Sequence, residues 1–189
     1  RPSLSTRFII VHGQYGLRKT IESLLPSFFE LKIGYTTGSC ATAATKAALI
    51  SLLSEEKIQK VNITLPSGEL IYIPVSVIEQ TAAYARASVI KDDGDDPDIT
   101  HGKEIVAQVQ LNLNHKGVHF LQGIGVGVVT LPGLDIPIGQ PAINKTPRMM
   151  MKREVFKVMR HFEEKLPYGL KTGVDITISV PEGEILAQK

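Results

Sequence analysis

Apolar and polar positions along the chain change period several times, and each change marks an element. An apolar run at residues 8–11 precedes His12-Gly13-Gln14-Tyr15-Gly16. A modest helical spacing follows over residues 19–25 and stops at Pro26, so strand, glycine turn and short helix are expected there. From Thr36-Thr37-Gly38-Ser39 the chain turns rich in small helix formers: Ala41, Ala43, Ala44, Ala47 and Ala48, then Leu49, Leu52 and Leu53. A helix is predicted here, with Thr36 or Thr37 as its N-cap. So many alanines on one helix imply close packing against a sheet or another backbone. Residues 61–65 and 69–77, rich in Ile, Val, Thr and Tyr, flank Pro66-Ser67-Gly68 and predict a β-hairpin. Residues 83–90 read as a strand. Residues 104–113 alternate and are expected to pair with residues 117–121 across a turn at 114–117, with a further short strand at 126–131. Helical periodicity returns over residues 148–165 through Met151, Val155, Val158, Met159 and Phe162, with Thr146 as cap and Pro147 at the first helical position. Residues 174–180 form the last predicted strand, which Pro181 ends.

Hairpins and several strands without strict β-α-β alternation predict an α+β domain, with a mixed, mainly antiparallel sheet and helices packed on one face. Residues 1–33 are expected to form an N-terminal extension or small strand-helix element, and residues 34–189 the main domain.

Composition narrows the functional classes. The 189 residues suffice for one good core, and 43% hydrophobic with 21% charged residues is the balance of an ordinary globular domain. A net charge of +2 argues against a nucleic-acid surface, and 6% aromatics without Trp argue against a base-stacking platform. The single Cys40 excludes an internal disulfide and a cysteine-based zinc cluster, and it fits a reducing cytoplasm. Apolar runs fall short of a membrane span, and no signal peptide is apparent. The pattern leaves a homo-oligomer open.

Four segments concentrate small and polar residues. In Gly34-Tyr35-Thr36-Thr37-Gly38-Ser39-Cys40 the amides that open a helix favour a carboxylate or phosphate, although a well-capped helix alone accounts for the same residues. Cys40 reads as packing rather than a nucleophile. Lys91-Asp92-Asp93-Gly94-Asp95-Asp96-Pro97-Asp98 places five carboxylates within seven residues. It reads as a solvated turn, or as carboxylates aimed into a cleft at a cation or sugar hydroxyls; the spacing does not match an EF-hand. Alternate glycines in Gly123-Ile124-Gly125-Val126-Gly127 let a ligand or second backbone approach, or mark a bulged strand. In Gly139-Gln140-Pro141-Ala142-Ile143-Asn144-Lys145-Thr146-Pro147-Arg148, the Arg is placed at a helix start, for a bidentate carboxylate or a surface ion pair. His12, His101, His115, His119 and His161 show no metal-ligand spacing, so no metal is expected.

Taken in order, GYTTGSCATAATKAA (34–48), VIKDDGDDPDITHG (89–102), GIGVGVVTLPGL (123–134), GQPAINKTPR (139–148) and ITISVPEGEILA (176–187) resemble the cobalt-precorrin-5B (C1)-methyltransferase family, CbiD. The chain departs from the family pattern at Leu131, where a Lys is usual, and at Lys145-Thr146, where a Pro-Val pair is usual. The family continues past PEGE into a second domain. The resemblance implies methyl transfer from S-adenosylmethionine to C-1 of a cobalt-precorrin, with no nucleic acid or membrane as partner. It also implies roles: Thr36, Thr37, Ser39, Asp92, Asp95, Asp96, Gly125 and Gly127 for the cofactor, and Lys91, Asn144, Lys145, Arg148 and Lys152 for the carboxylate arms of the substrate. A catalytic base is not implied, because a sulfonium is already a good leaving group. The competing readings are a non-catalytic tetrapyrrole-binding scaffold and a nucleotide-binding domain.

Overall fold

The computed structural model describes residues 35–92, 102–131 and 135–181. The expected small element at 1–33 lies outside the described residues, as do Asp95 and Asp96.

Helix α1 (Thr37–Ser54) is the centre of the fold. Thr36 caps it: its extended backbone turns the chain in, and its hydroxyl accepts from the Ser39 amide at 3.1 Å. Cys40, Ala43, Ala44, Ala47, Ala48 and Leu49 are wholly buried, and so are Thr42, Thr45 and Ser51 on the remaining faces. A helix buried all round needs small side chains, because neighbours must approach its backbone from more than one side. It ends at Glu55, a non-glycine residue held in the left-handed region at φ 63°.

Strands β1 (Lys60–Thr64) and β2 (Leu70–Pro74) form the predicted hairpin, turning through Gly68 at φ 92°. The second arm is shorter than expected. It breaks at Val75, and the chain enters a different sheet as β3 (Ser76–Gln80). One last bond, from the Val75 amide to the Gln59 carbonyl at 2.9 Å, closes the hairpin before the chain changes sheet. The five-stranded sheet adds β4 (Tyr84–Ile90), β5 (Glu104–Asn112), β6 (Val118–Gln122) and β7 (Gly173–Ser179) in the order β3-β4-β5-β7-β6. All pairs are antiparallel except β6 with β7.

The expected hairpin between β5 and β6 is therefore wrong, because β7 lies between them. Gly173 permits the insertion: a Cβ there would meet the His115 carbonyl oxygen at 2.2 Å. The amide of Val174 then donates to the Gly117 carbonyl at 2.9 Å. The second misreading is the strand at 126–131, which is a loop with one isolated bridge from Val128 to Pro141. Gly125 at φ 69° turns the chain out of extended conformation just before it.

Helix α2 (Lys145–His161) starts earlier than predicted. Asn144 is the N-cap residue, without a side-chain cap bond, and Pro147 occupies the third helical position. A proline is tolerated anywhere in a first turn, where amides have no intrahelical partner. Thr146 is thus inside the helix, not its cap. Two short 3-10 turns follow, Glu163–Lys165 and Gly169–Lys171.

A row of directly paired residues, Ala85, Val109, Ile176 and Phe120, runs across β4, β5, β7 and β6, each at most 6% exposed. It belongs to the same core as the buried faces of α1 and α2, as predicted for helices on one face. The helices run in the same direction. Gly38 meets Pro147 at their starts, Lys46 bonds Glu154 midway at 2.8 Å, and the Lys165 ammonium reaches the Leu53 carbonyl at 2.9 Å near their ends. Among the described residues, no helix is long and apolar enough to cross a membrane.

Candidate functional site

Each of the four segments has described residues at one end of the five-stranded sheet. This is the end where β4 stops, β5 starts and β6 and β7 stop. The Tyr35 amide donates to the Asp92 carbonyl at 2.6 Å, tying the entry of α1 to the start of the acidic segment. A Cβ on Gly38 would sit 2.8 Å from Pro147, so the starts of α1 and α2 nearly touch. The Ala142 amide donates to the Gly127 carbonyl at 2.8 Å, and the Val129 amide to the Gln140 carbonyl at 3.0 Å. These bonds join the glycine-rich segment to the loop that leads into α2. Gly123 is closed in, since a Cβ there would lie 2.2 Å from the Ile178 carbonyl oxygen and the Ser179 hydroxyl.

Two helix N-termini thus converge, each with about half a positive charge, and neither helix has an acidic residue in its first turn. Thr36, Thr37, Asn144 and Lys145 are exposed there. An anionic group is the natural complement to this end. Among the described residues no cluster of three or more His, Cys, Asp or Glu fits a metal ion.

The predicted site residues divide into accessible and committed ones. Ser39 is buried, and its hydroxyl lies 2.9 Å from that of Thr36, so it supports the cap rather than facing solvent. Lys91 is 2% exposed and Asp92 half-buried. The backbone of Lys91 is paired on both sides, its amide to the Lys103 carbonyl and its carbonyl to the Gly102 amide, each at 2.9 Å. Gly125 is half-buried and Gly127 exposed.

Arg148 does not project freely. Its Nε donates to the Ile143 carbonyl at 2.8 Å and its Nη2 to the Pro141 carbonyl at 2.7 Å, while its guanidinium lies 4.8 Å from the Phe120 ring centre. Partial burial lowers its pKa from the ordinary arginine value, yet an arginine stays charged at neutral pH. Its first task is to hold the loop at 141–143. Lys152 is exposed, with Nζ 5.9 Å from the same ring.

Sequence reasoning missed two features. Phe120 carries both cations, and nothing in its alternating strand marks that role. Glu154 is completely buried between the helices, with Lys46 and Lys157 each at 2.8 Å. Its burial alone would raise the carboxyl pKa, but the bonds from Lys157 and Lys46 outweigh this and hold it below the ordinary value. A signal for Glu154 existed: it is spaced three residues from Met151 and four from Val158, on the apolar face.

The family model described as CbiD matches residues 26–189. A cobalt-precorrin-5B C(1)-methyltransferase of Brucella anthropi is 47% identical over 160 residues, covering 85% of this chain and 42% of the relative. One of Moorella thermoacetica is 43% identical over 160 residues, covering 85% of this chain and 40% of the relative. The crystal structure of the cobalamin biosynthesis protein cbiD from Archaeoglobus fulgidus superposes with a TM-score of 0.60 at 31% identity, covering 84% of this chain and 47% of that one. The chain spans 40–42% of the length of these two curated relatives.

Proposed function

The chain belongs to the CbiD family, and from that premise we propose that it is part of an S-adenosylmethionine-dependent methyltransferase acting on C-1 of a cobalt-precorrin in cobalamin biosynthesis. The observation that carries this reading beyond the relatives' names is the meeting of the family-like segments at one end of the sheet. The residues present there suit the cofactor's mixed charge. Helix N-terminal amides and the hydroxyls of Thr36 and Thr37 complement a carboxylate, and the carboxylate of Asp92 complements a cation.

S-adenosylmethionine, when bound, supplies an activated methyl group that an electron-rich ring carbon can attack in line. The protein's contribution is alignment and exclusion of water, worth several kcal/mol when reacting atoms are held at near-attack distance. Lys145 and Lys152 are exposed cations near the start of α2 and take the substrate's carboxylate arms in this reading. Arg148 acts as a positioning residue by fixing the loop that joins the glycine-rich segment to α2. Asp95 and Asp96 belong to the cofactor's cation, and residues 1–33 to a separate N-terminal element. A cytoplasmic setting accompanies the reading.

The test is incubation of the complete protein with methyl-labelled S-adenosylmethionine and the cobalt-precorrin. Label recovered on the ring carbon supports the reading; binding of both molecules without transfer overturns it in favour of a scaffold.

A further inference from the structure

We propose that a cavity at the opposite end of the sheet from the converging segments binds a small polyanion, either a phosphate ester or a polycarboxylate. The cavity is open to solvent, has a volume of about 270 Å³ and is lined by Leu113, Asn114, His115, Lys116, Tyr168 and Lys171. It sits where β5 ends and β6 and β7 begin. The six steps along β7, at roughly 3.3 Å each, put it about 20 Å from the other end. It is a distinct site and does not depend on the methyl-transfer reading.

Charge is the first argument. Two lysines and a histidine line the cavity, and no carboxylate does. The ion pairs at Lys46, Arg86, Arg153 and Lys157 lie elsewhere and involve neither Lys116 nor Lys171. The two lysine ammonium groups repel each other, and an anion between them relieves that repulsion.

Rigidity is the second argument. Both turns that form the walls are fastened at the backbone. The Asn114 amide donates to the Asn112 side chain at 2.9 Å, and that side chain donates in turn to Asp175 at 2.7 Å. The Lys116 carbonyl is bonded by the His119 ring at 2.9 Å, and the His119 ring packs on His115 with centroids 4.6 Å apart. On the other wall, the Tyr168 amide donates at 3.1 Å to the hydroxyl of Thr172, which is 1% exposed. Gly173, pressed against the His115 carbonyl, locks one turn to the other. The cations are thus mounted on fixed backbone and only their flexible stems must order on binding, which limits the entropic cost. Tyr168 and Leu113, 59% and 54% exposed, supply apolar surface for the body of such a ligand. The volume limits that body to a few atoms beyond the charged groups.

The experiment is an amide-resolved NMR titration of the isotope-labelled chain with inorganic phosphate and, separately, citrate, at ionic strength held constant with chloride. A saturable shift confined to residues 113–117 and 168–172 is expected. The double variant Lys116→Ala/Lys171→Ala should weaken it by about tenfold or more, as lost charge-assisted bonds do. Both lysines are exposed, so the variant keeps its fold. Saturation by phosphate assigns the cavity to phosphate esters, saturation by citrate assigns it to polycarboxylates, and either supports the proposal. Shifts that grow without saturating, or an affinity unchanged in the double variant, overturn it.

Discussion

Helices α1 and α2 lie side by side and point the same way, but they are secured by different means. Along α1 most residues are small and buried: alanines, threonines and serines fit between the sheet and the second helix. Along α2 one face carries large side chains, Met150, Met151, Val155, Val158 and Met159, and among them the buried carboxylate of Glu154. The first helix depends on the absence of bulk, and the second depends on one charge kept in balance. Their shared N-terminal end holds together only if both conditions are met, since Gly38 against Pro147 leaves no room for drift.

The largest effect should come from breaking the charge balance. Glu154→Ala leaves Lys46 and Lys157 facing each other without their carboxylate, and an unfolding free energy lower by about 3 kcal/mol is expected from urea denaturation. The same carboxylate predicts a pH dependence. Its folded pKa lies below the ordinary value of 4.5, so its contribution is complete above that value and is lost as the pH falls through the folded pKa. Thermal melts should show an acid-side loss of stability that is smaller in Glu154→Gln.

Next comes bulk in the wrong helix. Ala44→Leu inserts three carbons at a wholly buried position of α1 and should cost about 2 kcal/mol, whereas Met149→Leu on the exposed side of α2 should be nearly neutral by the same measurement.

The smallest effects separate the two caps. Thr36→Ala removes a hydroxyl that accepts the Ser39 amide and should cost about 1 kcal/mol. Asn144→Ala removes a side chain with no cap bond and should cost only a few tenths of that in the same denaturation series.

The two helices also differ in how far they can be read from residues alone. For α1, composition suffices: Thr36, then a run of alanines, predicts cap, helix and close packing. For α2, the periodicity of Met151, Val155 and Val158 predicts the apolar face, but Pro147 misplaces the start because it fits the third position as well as the first. In the sheet, alternation identifies β5 and β6 and which side of each is buried, yet it is silent on which strand lies beside which. The insertion of β7 depends on a backbone contact between Gly173 and His115, far apart in sequence and joined only by the fold. In the same way, the order of the segments suggested a shared site, but Arg148 was legible only as a cation. Its bonds to the Pro141 and Ile143 carbonyls come from a loop conformation that no local pattern records.

In the proposed reading, the sheet end where α1 and α2 begin holds the methyl donor and its acceptor. The most direct measurement is a crystal structure of the complete protein with S-adenosylhomocysteine, the demethylated cofactor. This molecule is expected to touch both the 36–39 turn and the 141–148 loop, with the acidic segment at its sulfur side. A molecule seated against another face, with neither segment in contact, would contradict it.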